Sequence, residues 1–183
     1  MTLHKAGDQI DVTITYLAME SAPTFGHPPV PAQPGLALMR ATDPPARWFR
    51  HLYDSVGADH EWTDWHVESD DTVRAFIGDE AVSIHTLMLQ GWTAGFFMLD
   101  ARQAGTCDLA YFGLTPEARG RGLGTWLLKT AILSGWETPG VTRMTVNTCT
   151  LDGPRALPLY QRLGFAPVSQ AVVKRVLSRD QIG

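Results

Sequence analysis

The chain has only two cysteines, Cys107 and Cys149, in 183 residues. Two thiols cannot build a disulfide framework, so they read as reduced thiols of a cytoplasmic protein. No apolar run approaches the length of a membrane span, and no membrane partner is expected. The first residues lack a basic stretch followed by an apolar core, so no secretory signal is expected. Charge of one sign is scarce as well: 15 basic residues against 19 acidic ones leave a net charge of −4. That balance excludes a general nucleic-acid binder, and any basic site must be local. The six histidines are scattered without Cys/His ligand spacing, so no metal is expected. There is no internal repeat and no low-complexity tail.

What is present suffices for one domain over residues 1–183. Hydrophobic residues make up 44% of the chain and charged residues 19%, which is ordinary for a globular core. Ile10–Met19 alternates apolar and polar residues and reads as a strand. A proline-rich crossing follows, with Pro23, Pro28, Pro29, Pro31 and Pro34, each lacking a backbone donor. Residues 1–35 thus form a strand plus an extended surface crossing. Leu36–Ala41 reads as a short strand. Asp43-Pro44-Pro45 signals a helix start, with Asp43 as its cap. Trp48, Phe49, Leu52, Tyr53 and Val56 then fall at helical spacing up to Gly57. Ser69 reads as the cap of a short helix with Thr72, Val73, Phe76 and Ile77 inward. Val82–Leu89 and Trp92–Asp100 form a hairpin about Gln90-Gly91. A strand at Asp108–Leu114, a helix from Trp126, a strand at Val141–Thr148 and a helix opening at Asp152-Gly153-Pro154 follow. Pro158 lies near that last helix's first turn and predicts a late start or a kink. Gly164 is its left-handed cap, and Ala171–Leu177 is the last strand. The class is α+β, with a single mixed, mostly antiparallel sheet flanked by helices.

Arg119-Gly120-Arg121-Gly122-Leu123-Gly124-Thr125 connects the Asp108–Leu114 strand to the following helix. Three glycines let the backbone approach a ligand closely. The first N–H groups of a helix have no partner within it and suit an anion. Two arginines add forked, charged donors. The turn lacks the Gly-Lys-Ser/Thr ending of a nucleotide P-loop and the spacing of a dinucleotide fingerprint. It reads as a phosphate cradle.

The turn fits Arg/Gln-x-x-Gly-x-Gly/Ala through Arg119, Gly122 and Gly124. It resembles the pyrophosphate-binding motif of the GNAT superfamily of acyl-CoA-dependent N-acyltransferases. Phe112-Gly113-Leu114-Thr115-Pro116-Glu117 resembles the strand end and turn before that motif. Leu159-Tyr160-Gln161-Arg162-Leu163-Gly164-Phe165 resembles the family's Leu-Tyr-x-x-x-Gly-Phe segment. Together the motifs mark about residues 80–170 as the recognisable core. The resemblance implies a GNAT-like fold and acetyl-CoA as co-substrate, without a metal. It implies a pyrophosphate held by Arg119, Gly120, Arg121, Gly122, Leu123, Gly124 and Thr125. It implies a pantetheine arm against Phe112, Gly113 and Leu114. It implies transfer of an acetyl group to a primary amine by direct attack in a ternary complex, with Tyr160 assisting the leaving thiolate.

Tyr160 also fits a core stripe with Ala156, Leu159 and Leu163. The proton acceptor is open among Asp108, Asp64 and Glu61, with His66 and His85 less favoured. The family often has an asparagine seven residues before its tyrosine. Gly153 stands there, and Asn147 is the nearest substitute. Aromatic residues and carboxylates of the 47–66 segment, Tyr53, Trp62 and Asp64 among them, suit an ammonium group. Partners are then a small-molecule or peptide amine and, through exposed strand edges, a second copy of the chain. A weakly active or inactive CoA-binding regulatory module is the alternative reading.

Overall fold

A computed structural model describes residues 3–182. In chain order the elements are β1 (Leu3–His4), β2 (Gln9–Met19), β3 (Leu36–Arg40), α1 (Ala46–Gly57), α2 (Asp70–Ile77), β4 (Val82–Leu89), β5 (Trp92–Asp100), β6 (Thr106–Leu114), α3 (Leu123–Trp136), β7 (Arg143–Cys149), α4 (Ala156–Arg162), β8 (Ala166–Val176) and β9 (Gln181–Ile182). Seven strands form one mixed sheet in the order β3-β4-β5-β6-β7-β2-β8, while β1 and β9 pair separately. Among the described residues, the only parallel neighbours in that sheet are β6 and β7.

Each sheet face carries its own core. On one side α3 buries Leu123, Leu127, Leu128, Ala131 and Ile132 against Leu17, Phe97, Leu109, Met144 and Val146. On the other, α1 and α2 bury Phe49, Leu52, Tyr53, Val56, Val73, Phe76 and Ile77 against Ile84, Phe96 and Met98. Both follow from apolar residues recurring at helical spacing over strands that are apolar on both faces.

Several local expectations hold and several do not. Gln90 and Gly91 both have positive φ, 51° and 88°, the backbone of a two-residue hairpin turn. Ser69 Oγ accepts from Thr72 N–H at 3.1 Å, but the Thr72 side chain faces solvent. Asp43 does not cap α1: it has φ 48°, and Pro45 occupies the N-cap without a side-chain bond. Asp152 does not cap α4 either. Its carboxylate accepts from Thr148 Oγ1 at 2.6 Å and Cys149 N–H at 2.9 Å, and α4 opens later, after Arg155. Pro158 then falls in the first turn, where no intrahelical N–H is required. Gly164 has φ 107° and ends α4.

Two features shape the middle of the sheet. Ala110 is an extra residue in β6, since Leu109 pairs with Leu99 and Tyr111 with Met98. This bulge puts Ala110 and Tyr111 on the α1 side and returns Phe112 to the α3 side. In addition, β6 and β7 pair only over Thr106–Asp108 and Arg143–Thr145. Both strands continue beyond that point, so the sheet splits into a wedge. Gly113 lets α1 sit close to the β6 wall of the wedge, because a Cβ there would overlap Val56. Gly113→Ala is expected to lower the melting temperature by about 3–10 °C through overpacking, as thermal unfolding would read.

Candidate active site

The wedge opens into a cleft of about 1010 Å³. One wall is the part of β6 that has left β7 while staying paired with β5, Leu109 to Leu114, so one of its edges is open. The other contains Asn147 and Cys149 of β7, and Val12 and Ile14 of β2 contribute behind them. Backbone groups of an unpaired strand segment need partners from water or a ligand. An extended, amide-bearing arm is the kind of ligand that supplies them.

The glycine turn also lines the cleft. Gly120 and Gly122 both have φ 76° with open space where a Cβ would stand. Glycine adopts this conformation without cost, and the backbone stays bare toward the cleft. Gly122 is the N-cap of α3. Among the described residues, no backbone acceptor takes the N–H groups of Gly120 through Thr125. Six successive free donors at the positive end of a helix dipole suit an anion. Arg119 braces this turn: its Nε lies 3.4 Å from the Leu114 carbonyl, and it reaches His60 Nε2 at 3.3 Å and Asp59 at 3.7 Å. Arg121 is placed differently from the sequence expectation. Its guanidinium donates to the Glu117 carbonyl at 3.1 Å and does not line the cleft. The Arg121 carbonyl instead accepts from Gln33 Nε2 at 2.9 Å, anchoring the proline-rich crossing.

Tyr160 lines the cleft from α4 and is 6% exposed. Its ring meets Phe112 and Phe165 edge-on, with centroids at 6.3 and 6.0 Å. Among the described residues its hydroxyl has no hydrogen-bond partner. Burial, and then the negative charges of Asp152 and Asp108, push its ionisation well above the ordinary tyrosine range. The hydroxyl therefore stays protonated, with its hydrogen free to be donated.

At another part of the cleft, Tyr53, Trp62 and Tyr111 pack together with centroids 5.1–5.4 Å apart. Trp62 closes so tightly over α1 that a Cβ on Gly57 would overlap its ring. Trp65 Nε1 donates to Tyr111 Oη at 2.8 Å, while its ring stacks on Phe76 at 4.6 Å. Burial pushes the Tyr111 hydroxyl up to about 12. Asp64 also lines the cleft, with Oδ1 3.5 Å from Arg175.

The other acid and base candidates fall away from this space. Asp108 lies where β6 and β7 are still paired; Thr145 Oγ1 donates to it at 2.5 Å. It lines a separate small cavity with Asp100 and Arg102. Glu61 is 1% exposed, and its carboxylate accepts from Ser178 N–H at 2.8 Å and Gln181 Nε2 at 3.3 Å. Burial opposes its charge, but these bonds outweigh burial and hold it below the usual carboxylate range. His66 pairs with Asp54 at 2.5 Å. His85 stacks on Phe97 at 4.5 Å, and burial followed by the Arg40 charge pushes it down to about 4.

Sequence reasoning missed Tyr111, His60, Arg155 and Arg162 in the cleft. Tyr111 was hidden by the bulge. His60 was hidden because its role is long-range: Nδ1 lies 3.2 Å from the Leu151 carbonyl, and Nε2 meets Arg119. It ties the aromatic loop to the glycine turn and to the segment before α4.

The acetyltransferase (GNAT) family model matches residues 38–165. No curated protein matches the chain. Several solved structures share its fold. A GCN5-related N-acetyltransferase from Kribbella flavida is 20% identical, with a TM-score of 0.59 over 91% of this chain and 58% of that one. A tandem GNAT protein from the clavulanic acid biosynthesis pathway is 18% identical, with a TM-score of 0.61 over 92% of this chain and 53% of that one. An aminoglycoside acetyltransferase from an uncultured soil metagenomic sample, solved with sisomicin, is 13% identical. Its TM-score is 0.56 over 70% of this chain and 86% of that one. This chain thus spans only 58% and 53% of the first two.

Proposed function

Because the chain belongs to the acetyltransferase (GNAT) family, we propose that it transfers an acetyl group from acetyl-CoA to a primary amine by direct attack in a ternary complex. The observation that carries this reading is the wedge between β6 and β7, with free helix-terminal N–H groups at one end and Tyr160 inside it. The N–H groups of Gly120–Thr125 hold the pyrophosphate. The open edge of Phe112–Leu114 pairs with the pantetheine arm and aims the thioester into the wedge.

Tyr160 donates a hydrogen bond to the sulfur as the carbon–sulfur bond breaks. With reference values of about 10 for tyrosine and 8.5 for a thiol, full proton transfer is already uphill by about 2 kcal/mol. Burial of Tyr160 makes it steeper. The residue thus stabilises charge on the leaving thiolate and keeps most of its proton. Cys149 needs no covalent part, since burial raises its thiol above the ordinary range.

The amine enters past Tyr53, Trp62 and Tyr111. Asp64 and Asp152 are the acidic side chains of the cleft, and Asp152 is already bonded to its own loop. Asp64, met on one side by Arg175 at 3.5 Å and otherwise exposed beside aromatic faces, suits a singly charged ammonium better than a polycation. Asp64→Asn is expected to raise the KM for the amine about tenfold while leaving the KM for acetyl-CoA unchanged. Steady-state kinetics with each substrate varied would check this. The open edge strand β8 exposes Val168, Val172 and Val176, which suits pairing with a second copy.

The test of the reading is release of CoA from acetyl-CoA across a broad panel of primary amines. Turnover with at least one amine is expected. Gly153, at the position where the family often has asparagine, favours a second reading as a CoA-binding module; tight CoA binding with no turnover on any amine would select it.

A further inference from the structure

We infer that His60 is a positioning residue of the donor site, working only as the neutral imidazole with its hydrogen on Nδ1; the inference rests on the acetyl-CoA reading above. Two neighbours fix that tautomer. Arg119 Nη2 lies 3.3 Å from His60 Nε2. A guanidinium has N–H donors, no acceptor, and a permanent charge. Nε2 must therefore offer its lone pair. A neutral imidazole carries one N–H, so the hydrogen sits on Nδ1. There it faces the Leu151 carbonyl at 3.2 Å, which only accepts. The opposite tautomer would set donor against donor at Arg119 and acceptor against acceptor at Leu151.

The ring is placed to act on the glycine turn. Ala58–His60 form one turn of 3₁₀ helix, and Trp62 N–H donates to the Gly57 carbonyl at 3.1 Å. His60 is half-buried, with the Trp62 ring beside it at 6.4 Å. The Arg119 guanidinium folds back from the start of the glycine turn onto the Leu114 carbonyl. Leu114 ends β6, so this contact closes the segment that leads to the N–H groups of Gly120–Thr125. His60 and Asp59 hold the guanidinium there from the aromatic loop. A cradle of backbone donors binds best when its loop is already in place. His60 thus acts on the donor through Arg119.

The charged groups around the ring have other partners. Asp59 lies 3.7 Å from Arg119 and 4.0 Å from Arg179. Glu61 turns to Ser178, Gln181 and Arg179. Asp152, next to Leu151, accepts from Thr148 and Cys149. Arg175 is held by the Glu61 carbonyl and Asp64. Among the described residues, no carboxylate hydrogen-bonds the ring. A proton added at Nε2 removes the acceptor for Arg119 and sets two cations face to face. Histidine is the side chain whose charge ordinarily changes between about pH 5 and 8. Acid should therefore release Arg119 and loosen the turn. Attraction between the new charge and the phosphates acts the other way, but salt screens it, whereas the hydrogen bond is lost outright.

The test joins nitrogen NMR of the His60 ring to calorimetric titration of the full chain with CoA. NMR at the alkaline end of that range should find the hydrogen on Nδ1. His60→Gln puts an amide oxygen near the place of Nε2 and keeps the Arg119 contact. His60→Asn reaches only to the place of Nδ1 and keeps the Leu151 contact, and His60→Phe keeps neither. CoA should bind His60→Gln within about threefold of wild type, and the other two about tenfold or more weakly. The loss should appear in the KM for acetyl-CoA, with kcat at saturation little changed. Between about pH 8 and 5, the wild type should lose at least about threefold more CoA affinity than His60→Gln, whose amide does not titrate. That comparison stands even where His60→Asn or His60→Phe fails to fold. A hydrogen on Nε2, equal affinities in the three variants, or parallel acid profiles in wild type and His60→Gln would overturn the inference. A wild type that bound no CoA would instead sink the acetyl-CoA reading, and the inference with it.

Discussion

Gly122→Asp should reduce CoA affinity by more than about 100-fold, beyond the reach of an ordinary surface substitution. Gly122 has φ 76°, and a Cβ there would meet no atom within 4 Å. The fold therefore tolerates a side chain sterically, at a backbone cost of about 1–2 kcal/mol that aspartate suffers less than most residues. The damage falls on the ligand. A carboxylate at the N-cap of α3 would compete for the N–H groups of Gly124 and Thr125 and repel the phosphates. Gly122→Asn separates these effects, because asparagine adopts the same backbone without the charge. Calorimetry should show a moderate loss for Gly122→Asn and no measurable binding for Gly122→Asp, with both variants unfolding within a few degrees of wild type. Unchanged CoA affinity in Gly122→Asp would remove the turn from the donor site.

Tyr160→Phe should lower kcat by about 10–100-fold with donor affinity little changed, in line with loss of one donor to developing charge. Among the described residues the hydroxyl has no partner of its own, so its removal leaves no orphaned group behind. Thermal stability should stay level or rise slightly. The pH profile carries a second sign. Since burial raises the ionisation of Tyr160, it remains a donor throughout the range in which an alkyl amine, of reference pKa about 10.4, loses its proton. The wild-type rate should rise with pH toward the amine's ionisation, without a falling limb from Tyr160 below about pH 10. Wild-type turnover in Tyr160→Phe would exclude the tyrosine from the chemistry.

Local chemistry was legible in the sequence wherever a residue type imposes a backbone. Gln90-Gly91 announced the hairpin, Ser69 the start of α2, and Gly164 the end of α4, because each answers to a short-range rule. The glycine turn before α3 was legible for the same reason, as glycines and a following helix are adjacent in the chain. The helix starts at Asp43 and Asp152 misled because each motif has competing uses. Asp43 took a left-handed turn, and Asp152 bound the end of β7 instead of α4.

The bulge at Ala110 was hidden, since it interrupts the alternation by which strand faces are assigned. That hid Tyr111 as well. Acid candidates could not be ranked, because their fates depend on distant partners. Glu61 is claimed by Ser178 and Gln181, and Asp108 by Thr145 across the closed part of the wedge. The joining of His60 to Leu151 and Arg119 is equally long-range. What the fold adds to the motifs is the split between β6 and β7, which brings the glycine turn, the open strand edge and Tyr160 to one cleft.

The most direct measurement is a crystal structure of the chain with CoA bound. The pyrophosphate should accept hydrogen bonds from the Gly120–Thr125 backbone, the pantetheine arm should pair with Phe112–Leu114, and the sulfur should lie within hydrogen-bond distance of Tyr160 Oη. CoA seated outside the β6–β7 wedge, or a sulfur remote from Tyr160, would contradict the proposed mechanism.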